Sequence, residues 1–161
     1  MTDNLNYHLA SCRCGFVRLK ANGQPLTTGA CHCEGCRRMS AGPYSLGAIY
    51  ADEAVTIVSG KTSPIGADPY AGHQGCPHCA SWVISRPPVL VDMVVVRSAL
   101  FEDAAAFAPF VETFTSEKLP FVSLIAPHRF ERFPNPSEFP TLMSEYAKWV
   151  HAVPSARPPV D

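Results

Sequence analysis

The cysteines constrain this chain more than any other feature, because all seven occur in three short clusters. The clusters are Cys12-x-Cys14, Cys31-x-Cys33-x-x-Cys36 and Cys76-x-x-Cys79. Closely spaced thiolates can turn toward one ion without straining the backbone, which is how proteins bind tetrahedral zinc. The pattern therefore predicts a chain that folds around metal ions.

The division of the thiols predicts two Zn2+ ions per chain. The first and third clusters together supply four sulfurs, which close a structural zinc site. The second cluster supplies three, which leave one position open for water or a substrate. Mixed sets, in which the first cluster shares an ion with part of the second, remain an alternative to this division.

The second ion has other possible environments. His32, His73 or His78 can supply its fourth ligand, which would make it a second structural zinc. An iron–sulfur cluster is a further alternative, since iron also takes thiolates, although three close cysteines do not complete a four-thiolate set.

Residues near the second cluster are candidate substrate contacts. Arg37 and Arg38 directly follow Cys36, and they can grip an anionic substrate such as a carboxylate with paired hydrogen bonds or remain solvated surface residues. Tyr44 can line the open face or be an ordinary buried aromatic. His73 is the most convenient candidate for a general base, although no position in the sequence demands that role.

Composition predicts one globular domain over 1–161, with its core in about 11–126. Hydrophobic residues make up 47% of the chain and charged residues 17%, which excludes a disordered protein. A formal charge of −1 gives no general attraction to nucleic acid or anionic membranes. The longest apolar run is short and contains Asp92, no signal peptide is recognisable, and an odd cysteine count disfavours disulfides. These features together favour the cytoplasm.

The pattern along the chain predicts short strands followed by one helix. Sixteen prolines argue against a helical bundle. We expect a lead-in over 1–10, a loop over 63–75, a short helix or irregular segment over 102–110 and a loose tail over 151–161. Strands are expected at 15–20, 44–50, 54–59, 82–85, 89–97 and 121–126.

The one convincing helix is predicted over 137–150, with Ser137 as its cap. Leu142, Tyr146, Trp149 and Val150 would share its buried face, because their spacing follows the helical period.

The cysteine clusters lie within longer motifs that are similar to a known family. The motifs are S-C-x-C-G-x-V-R (11–18), A-C-H-C-x-x-C-R-R-x-S (30–40) followed by Pro43-Tyr44, C-P-x-C (76–79) and T-F-T-S-E-K-L-P-F (113–121). In this order they resemble the glutathione-dependent formaldehyde-activating enzyme family, which also contains centromere protein V relatives.

The resemblance implies a β-tent fold, built mainly from short antiparallel sheets pinned by zinc. It also implies structural zinc on Cys12, Cys14, Cys76 and Cys79, and catalytic zinc on the second cluster. The implied reaction joins glutathione and formaldehyde to S-hydroxymethylglutathione, formally a carbon–sulfur lyase run in reverse. Three anionic sulfurs reduce the electrophilicity of zinc, so such a site suits thiol chemistry better than hydrolysis.

Two non-enzymatic functions compete with the lyase. A zinc-ribbon-like binding module would need a contiguous basic or apolar surface patch, and the sequence contains no basic stripe. A thiol-based zinc or redox sensor would release zinc on mild oxidation. The lyase hypothesis instead predicts a small thiol such as glutathione as partner, and it leaves a homo-oligomer open.

Overall fold

The protein is mainly β in the computed structural model, which describes residues 6–152. These residues form eleven strands, two α-helices and six short 3-10 turns. The strands are β1 (Tyr7–Ser11), β2 (Arg18–Asn22), β3 (Thr27–Cys31), β4 (Ser45–Ala51), β5 (Val55–Ser59), β6 (Ser63–Pro64), β7 (His73–Gly75), β8 (Trp82–Ser85), β9 (Met93–Val96), β10 (Val111–Thr113) and β11 (His128–Arg129). The helices are α1 (Glu34–Ser40) and α2 (Phe139–Ala152).

The strands form two sheets. The smaller sheet is antiparallel, in the order β1-β2-β5, and the larger has the order β11-β10-β3-β4-β9-β8-β7-β6. Most pairs in the larger sheet are antiparallel, but β10 runs parallel to both β3 and β11. The prediction of a mainly β fold with mainly antiparallel pairing is confirmed, and the parallel pairs occur at this one edge. The name β-tent stays a prediction.

Side chains of the central strands point alternately to the two faces of the larger sheet, and a hydrophobic core lies on each face. Ala48 and Tyr50 of β4 pack with Leu19 from the smaller sheet and with Phe101. Ile49, which lies between them, instead packs toward the cluster that contains α2. Successive strand residues point to opposite faces, so a single strand serves both cores.

The C-terminal helix covers the second of these cores, as the sequence predicts. Leu142 and Tyr146 are buried, and Trp149 and Val150 pack against the same cluster. The predicted cap at Ser137 is wrong. Asn135 accepts the hydrogen bond from the Ser137 N–H and forms a capping box with Glu138, so a 3-10 turn precedes α2.

Several other local predictions are wrong for identifiable reasons. Residues 121–126 form no strand, and Phe121 is 78% and Ile125 95% exposed; β11 occupies the sheet edge beside β10 instead. The lead-in contains β1, and the loop over 63–75 contains β6 and β7. The predicted strand over 89–97 is confined to β9, because a turn from Pro87 to Leu90 precedes it.

Three further segments are helix α1, the stretch over 102–110 and the C-terminal end of the described chain. Helix α1 was not predicted, and the segment over 102–110 contains a 3-10 turn at Ala104–Ala106. Of the predicted tail, His151 and Ala152 end α2 and 153–161 lie outside the described residues. Neither helix in the described part of the chain is long and apolar enough to cross a membrane.

Candidate metal centres and substrate site

The first and third cysteine clusters converge into one four-cysteine group, formed by Cys12, Cys14, Cys76 and Cys79. Their sulfurs all lie within 4.8 Å of one another. The Sγ–Sγ distance is 3.6 Å between Cys12 and Cys14 and 3.8 Å between Cys14 and Cys76. Tetrahedral zinc with Zn–S bonds of about 2.3 Å requires sulfurs about 3.8 Å apart. The group therefore has the geometry of a closed tetrahedral site.

Tight backbone turns shape both halves of the four-cysteine group. The Gly15 N–H bonds to the Cys12 carbonyl, and the Ala80 N–H bonds to the Cys76 carbonyl. Both turn residues are left-handed, with φ of 77° at Gly15 and 58° at Ala80. Glycine adopts this conformation freely, whereas alanine does so at a cost. Ala80, which directly follows Cys79, therefore adopts a strained conformation at this turn.

Backbone donors reach the sulfurs of the four-cysteine group. The Val17 N–H donates to Cys12 Sγ at 3.2 Å, and the His78 N–H donates to Cys76 Sγ at 3.4 Å. A hydrogen bond from Ser81 lowers the pKa of Cys79 to about 5. Such donors favour thiolate over thiol, which is the form that binds metal.

The second cluster forms a separate triple-cysteine group, made of Cys31, Cys33 and Cys36. Cys31 ends β3, Cys33 caps α1, and Cys36 lies inside that helix. The three sulfurs lie within 4.8 Å of one another and are partly exposed. The Cys36 N–H donates to Cys33 Sγ at 3.3 Å. The turn from strand to helix therefore aims three thiols at one point near the surface.

No further ligand joins the triple-cysteine group from the described residues 6–152. The three histidines named as alternative ligands have other neighbours. His32 Nε2 bonds to Glu112, His73 Nδ1 bonds to Ser85, and His78 stacks on Phe16. Within this part of the chain the group can thus offer a metal ion three sulfurs and an open face.

The triple-cysteine group favours one negative charge strongly and further charges poorly. Hydrogen bonds from Cys31 and Cys36 lower the pKa of Cys33 to about 2. The contact with Cys33 in turn raises the pKa of Cys31 well above its usual value. A bound cation would remove this conflict, because it offsets the repulsion between neighbouring thiolates. The donor set therefore fits a divalent metal ion that prefers sulfur.

A buried polar network supports the triple-cysteine group from behind. His32 and Glu112 are both fully buried, and His32 Nε2 lies 2.8 Å from Glu112 Oε2. Lys118 Nζ donates to the same oxygen at 2.6 Å. Burial by itself would raise the pKa of Glu112, but the hydrogen bonds from Lys118 and His32 hold it below its usual value. Glu112 is therefore an anion that ties β10 to the cysteine loop.

The predicted substrate contacts on α1 differ from each other. Arg37 Nε donates to the His32 carbonyl at 3.1 Å, so it braces the cysteine loop. Arg38 is exposed and pairs with Glu34 at 2.6 Å. Both arginines border a groove of about 340 Å³, which is lined further by Ala41, Gly42, Pro43, Leu119 and Phe121. Tyr44 packs edge-on against His32 at a ring distance of 5.6 Å.

The predicted contact His73 lies at the end of the larger sheet that approaches α1. A side chain at Gly66 would meet both His73 and Met39 of α1, so the two lie close together. His73 Nδ1 lies 2.7 Å from Ser85 Oγ, which also accepts from the Trp82 ring N–H at 2.9 Å. Burial lowers the pKa of His73.

Comparison with known proteins places this chain in a family. The family model described as glutathione-dependent formaldehyde-activating enzyme matches residues 7–117, which contain both cysteine groups. The chain belongs to this family. A crystal structure of a Rhodobacter sphaeroides protein is 20% identical, with a TM-score of 0.47, and the match covers 58% of this chain and 87% of that one. No curated protein matches.

The structure also brings residues near the triple-cysteine group that sequence reasoning did not indicate, among them Arg97, which donates to Ser45 opposite Cys31. Glu112 and Arg97 were not candidates, and His32 was considered only as a metal ligand. For Glu112 and Arg97 the sequence does contain a signal, namely a charged residue next to an apolar run. Glu112 follows the apolar pair Phe110-Val111, and Arg97 directly follows the apolar β9. Lys118 carries no such signal, because its role depends on the fold around Glu112.

Proposed function

We propose that the protein is a zinc-dependent carbon–sulfur lyase that acts on a small thiol adduct. The leading reaction joins glutathione and formaldehyde: the glutathione sulfur adds to the formaldehyde carbon, and the thiol proton passes to the oxygen. Membership of the family supports this class of chemistry. The observation that carries the proposal is the triple-cysteine group, whose three converging sulfurs leave an open face.

We assign one Zn2+ to each cysteine group. The four-cysteine group would hold a structural ion that pins the sheets, since its sulfurs surround a single point. The triple-cysteine group would hold the second ion, with Cys31, Cys33 and Cys36 as its ligands. Bound there, zinc would supply a Lewis acid and a site for thiolate sulfur.

The chain's own residues would orient the substrate around this site. Arg37 and Arg38 present cations to the groove beside α1, and a carboxylate of a glutathione-like thiol matches them in charge. Tyr44 and His73 are assigned to substrate contacts, because one packs on the cysteine loop and the other approaches α1. All seven cysteines are free thiols, which suits a reducing cytoplasm. We treat 1–161 as one domain.

The proposal is tested by zinc stoichiometry with and without reduced glutathione, combined with competitive chelator titration. We expect two zinc ions per chain, one held tightly and one labile, with the labile ion's release shifted by glutathione. Exchange NMR on glutathione and formaldehyde should then show faster adduct formation with zinc-loaded protein than without protein.

Two outcomes would contradict the lyase. Two equally tight ions that ignore glutathione would identify a structural zinc module. A labile ion that responds to mild oxidation but not to glutathione would identify a sensor. In either case the adduct exchange rate would stay at its uncatalysed value.

A further inference from the structure

Arg97 is a half-buried cation beside the strand that carries the neighbour of Cys31. It directly follows β9, and its Nη1 donates to Ser45 Oγ at 3.4 Å. Ser45 lies directly opposite Cys31, one of the three thiols, in the antiparallel pairing of β3 with β4. The residue that Arg97 contacts is therefore the cross-strand neighbour of a thiol of the group.

The fold makes room for this guanidinium and holds it in place. Its central carbon lies 4.1 Å from the centroid of the Trp82 ring, a stacking geometry that suits arginine. A Cβ at Gly47 would lie 2.7 Å from Val95 Cγ1 and 3.3 Å from Arg97 Nη2. A glycine in β4 thus leaves the space that the Arg97 side chain occupies.

Arg97 has no carboxylate partner. None of the ion pairs within residues 6–152 includes it, and its Nε is buried without a hydrogen-bond partner. Burial lowers the pKa of Arg97 to about 10, and the charges that counteract this belong to Cys36 and Cys31. Buried cations in proteins are normally paired with an anion. For Arg97 the available anions are the thiolates.

We propose that Arg97 is the counter-cation of the triple-cysteine group and makes this site accept an anionic sulfur. The proposal rests on the function proposed above and extends it to a residue outside the cysteine motifs. Three thiolates around Zn2+ carry a net charge of −1, so an added thiolate meets electrostatic repulsion. A fixed guanidinium offsets that charge in a partly buried site, where water screens it poorly. Arg97 is accordingly a positioning residue.

The experiment compares the zinc-loaded wild type with Arg97→Met, which removes the charge, and Arg97→Lys, which keeps it. Arg86→Met is the matched control, because Arg86 is exposed and pairs with Asp52. Chelator titration measures how firmly the triple-cysteine zinc is held. Calorimetry then measures the binding of glutathione, of azide as a small anion and of imidazole as a neutral ligand.

Arg97→Met should lose the labile zinc at about tenfold lower chelator concentration and bind glutathione and azide about tenfold more weakly. Its affinity for imidazole should equal that of the wild type, and Arg97→Lys should recover most of the loss. Equal weakening of all three ligands would overturn the proposal, because it would indicate a purely structural role. Wild-type behaviour of Arg97→Met would overturn it as well.

The same measurements separate this inference from the lyase. If the wild type binds no glutathione, the lyase proposal fails. The counter-cation is then still decided by zinc release and azide binding, which require no thiol substrate.

Discussion

The two cysteine groups use similar ligands in opposite ways. The four-cysteine group joins segments that are 62 residues apart at Cys14 and Cys76. The triple-cysteine group takes all its sulfurs from residues 31–36 and is supported by the buried pair of His32 and Glu112. The first group brings distant parts of the chain together, whereas the second is local and packs against the rest of the fold. Similar ligand chemistry therefore predicts different consequences when a ligand is lost.

The largest expected effect is the loss of a ligand from the four-cysteine group. Cys76→Ser should abolish soluble folded protein, because structural zinc sites contribute about 10 kcal/mol to folding. Soluble yield and thermal melting measure the effect. A Cys76→Ser protein that folds and melts like the wild type would show that this group does not hold the segments together.

The next effect concerns function rather than folding. Cys33→Ser should remain folded, contain about one zinc fewer and lose adduct-forming activity, since its group lies in one local turn. Metal analysis and circular dichroism on the same sample measure both properties. If Cys33→Ser unfolds as completely as Cys76→Ser, the contrast between the two groups is wrong.

A smaller effect is expected from the network behind the triple-cysteine group. Glu112→Gln removes a fully buried anion that contacts both His32 and Lys118. Breaking a buried pair in this way should cost about 3 kcal/mol in the free energy of unfolding. Loss of support for the cysteine loop should also lower the affinity of the labile zinc by about tenfold or more.

Glu145→Gln is the control for this prediction. Glu145 also pairs with a histidine, His128, but its side chain is 45% exposed, and an exposed pair should contribute about 0.5 kcal/mol. Equal effects of the two substitutions on unfolding and zinc release would show that the buried network does not support the triple-cysteine group.

The smallest predicted effect is a gain in stability at the four-cysteine group. Ala80→Gly relieves the left-handed strain at φ 58°, which should stabilise the protein by about 0.5 kcal/mol and raise the melting temperature by about 1–2 °C. Ala105→Gly, in an exposed 3-10 turn, should lower it instead. A lower melting temperature for Ala80→Gly would show that the turn is not strained.

Local sequence patterns predicted the elements whose conformation depends mainly on neighbouring residues. The apolar spacing from Leu142 to Val150 identified the buried face of α2, and the β-branched run at Trp82–Ser85 identified β8. Predictions failed where a distant segment of the chain decides whether a stretch forms a strand. The apolar segment over 121–126 has strand-like residues, yet within residues 6–152 it pairs with no strand, so it stays irregular and leaves Phe121 and Ile125 exposed.

The sequence by itself determined the three cysteine clusters and pointed to the family, because clustered thiols and their flanking motifs are local features. That the first and third clusters converge was decided by the tertiary structure. The tertiary structure decided what surrounds them. Glu112 reaches His32 only because β10 lies parallel to β3. Arg97 reaches Ser45, the cross-strand neighbour of Cys31, only because β9 pairs with β4. Charges that act across strands depend on register and burial, which no short stretch of the chain contains.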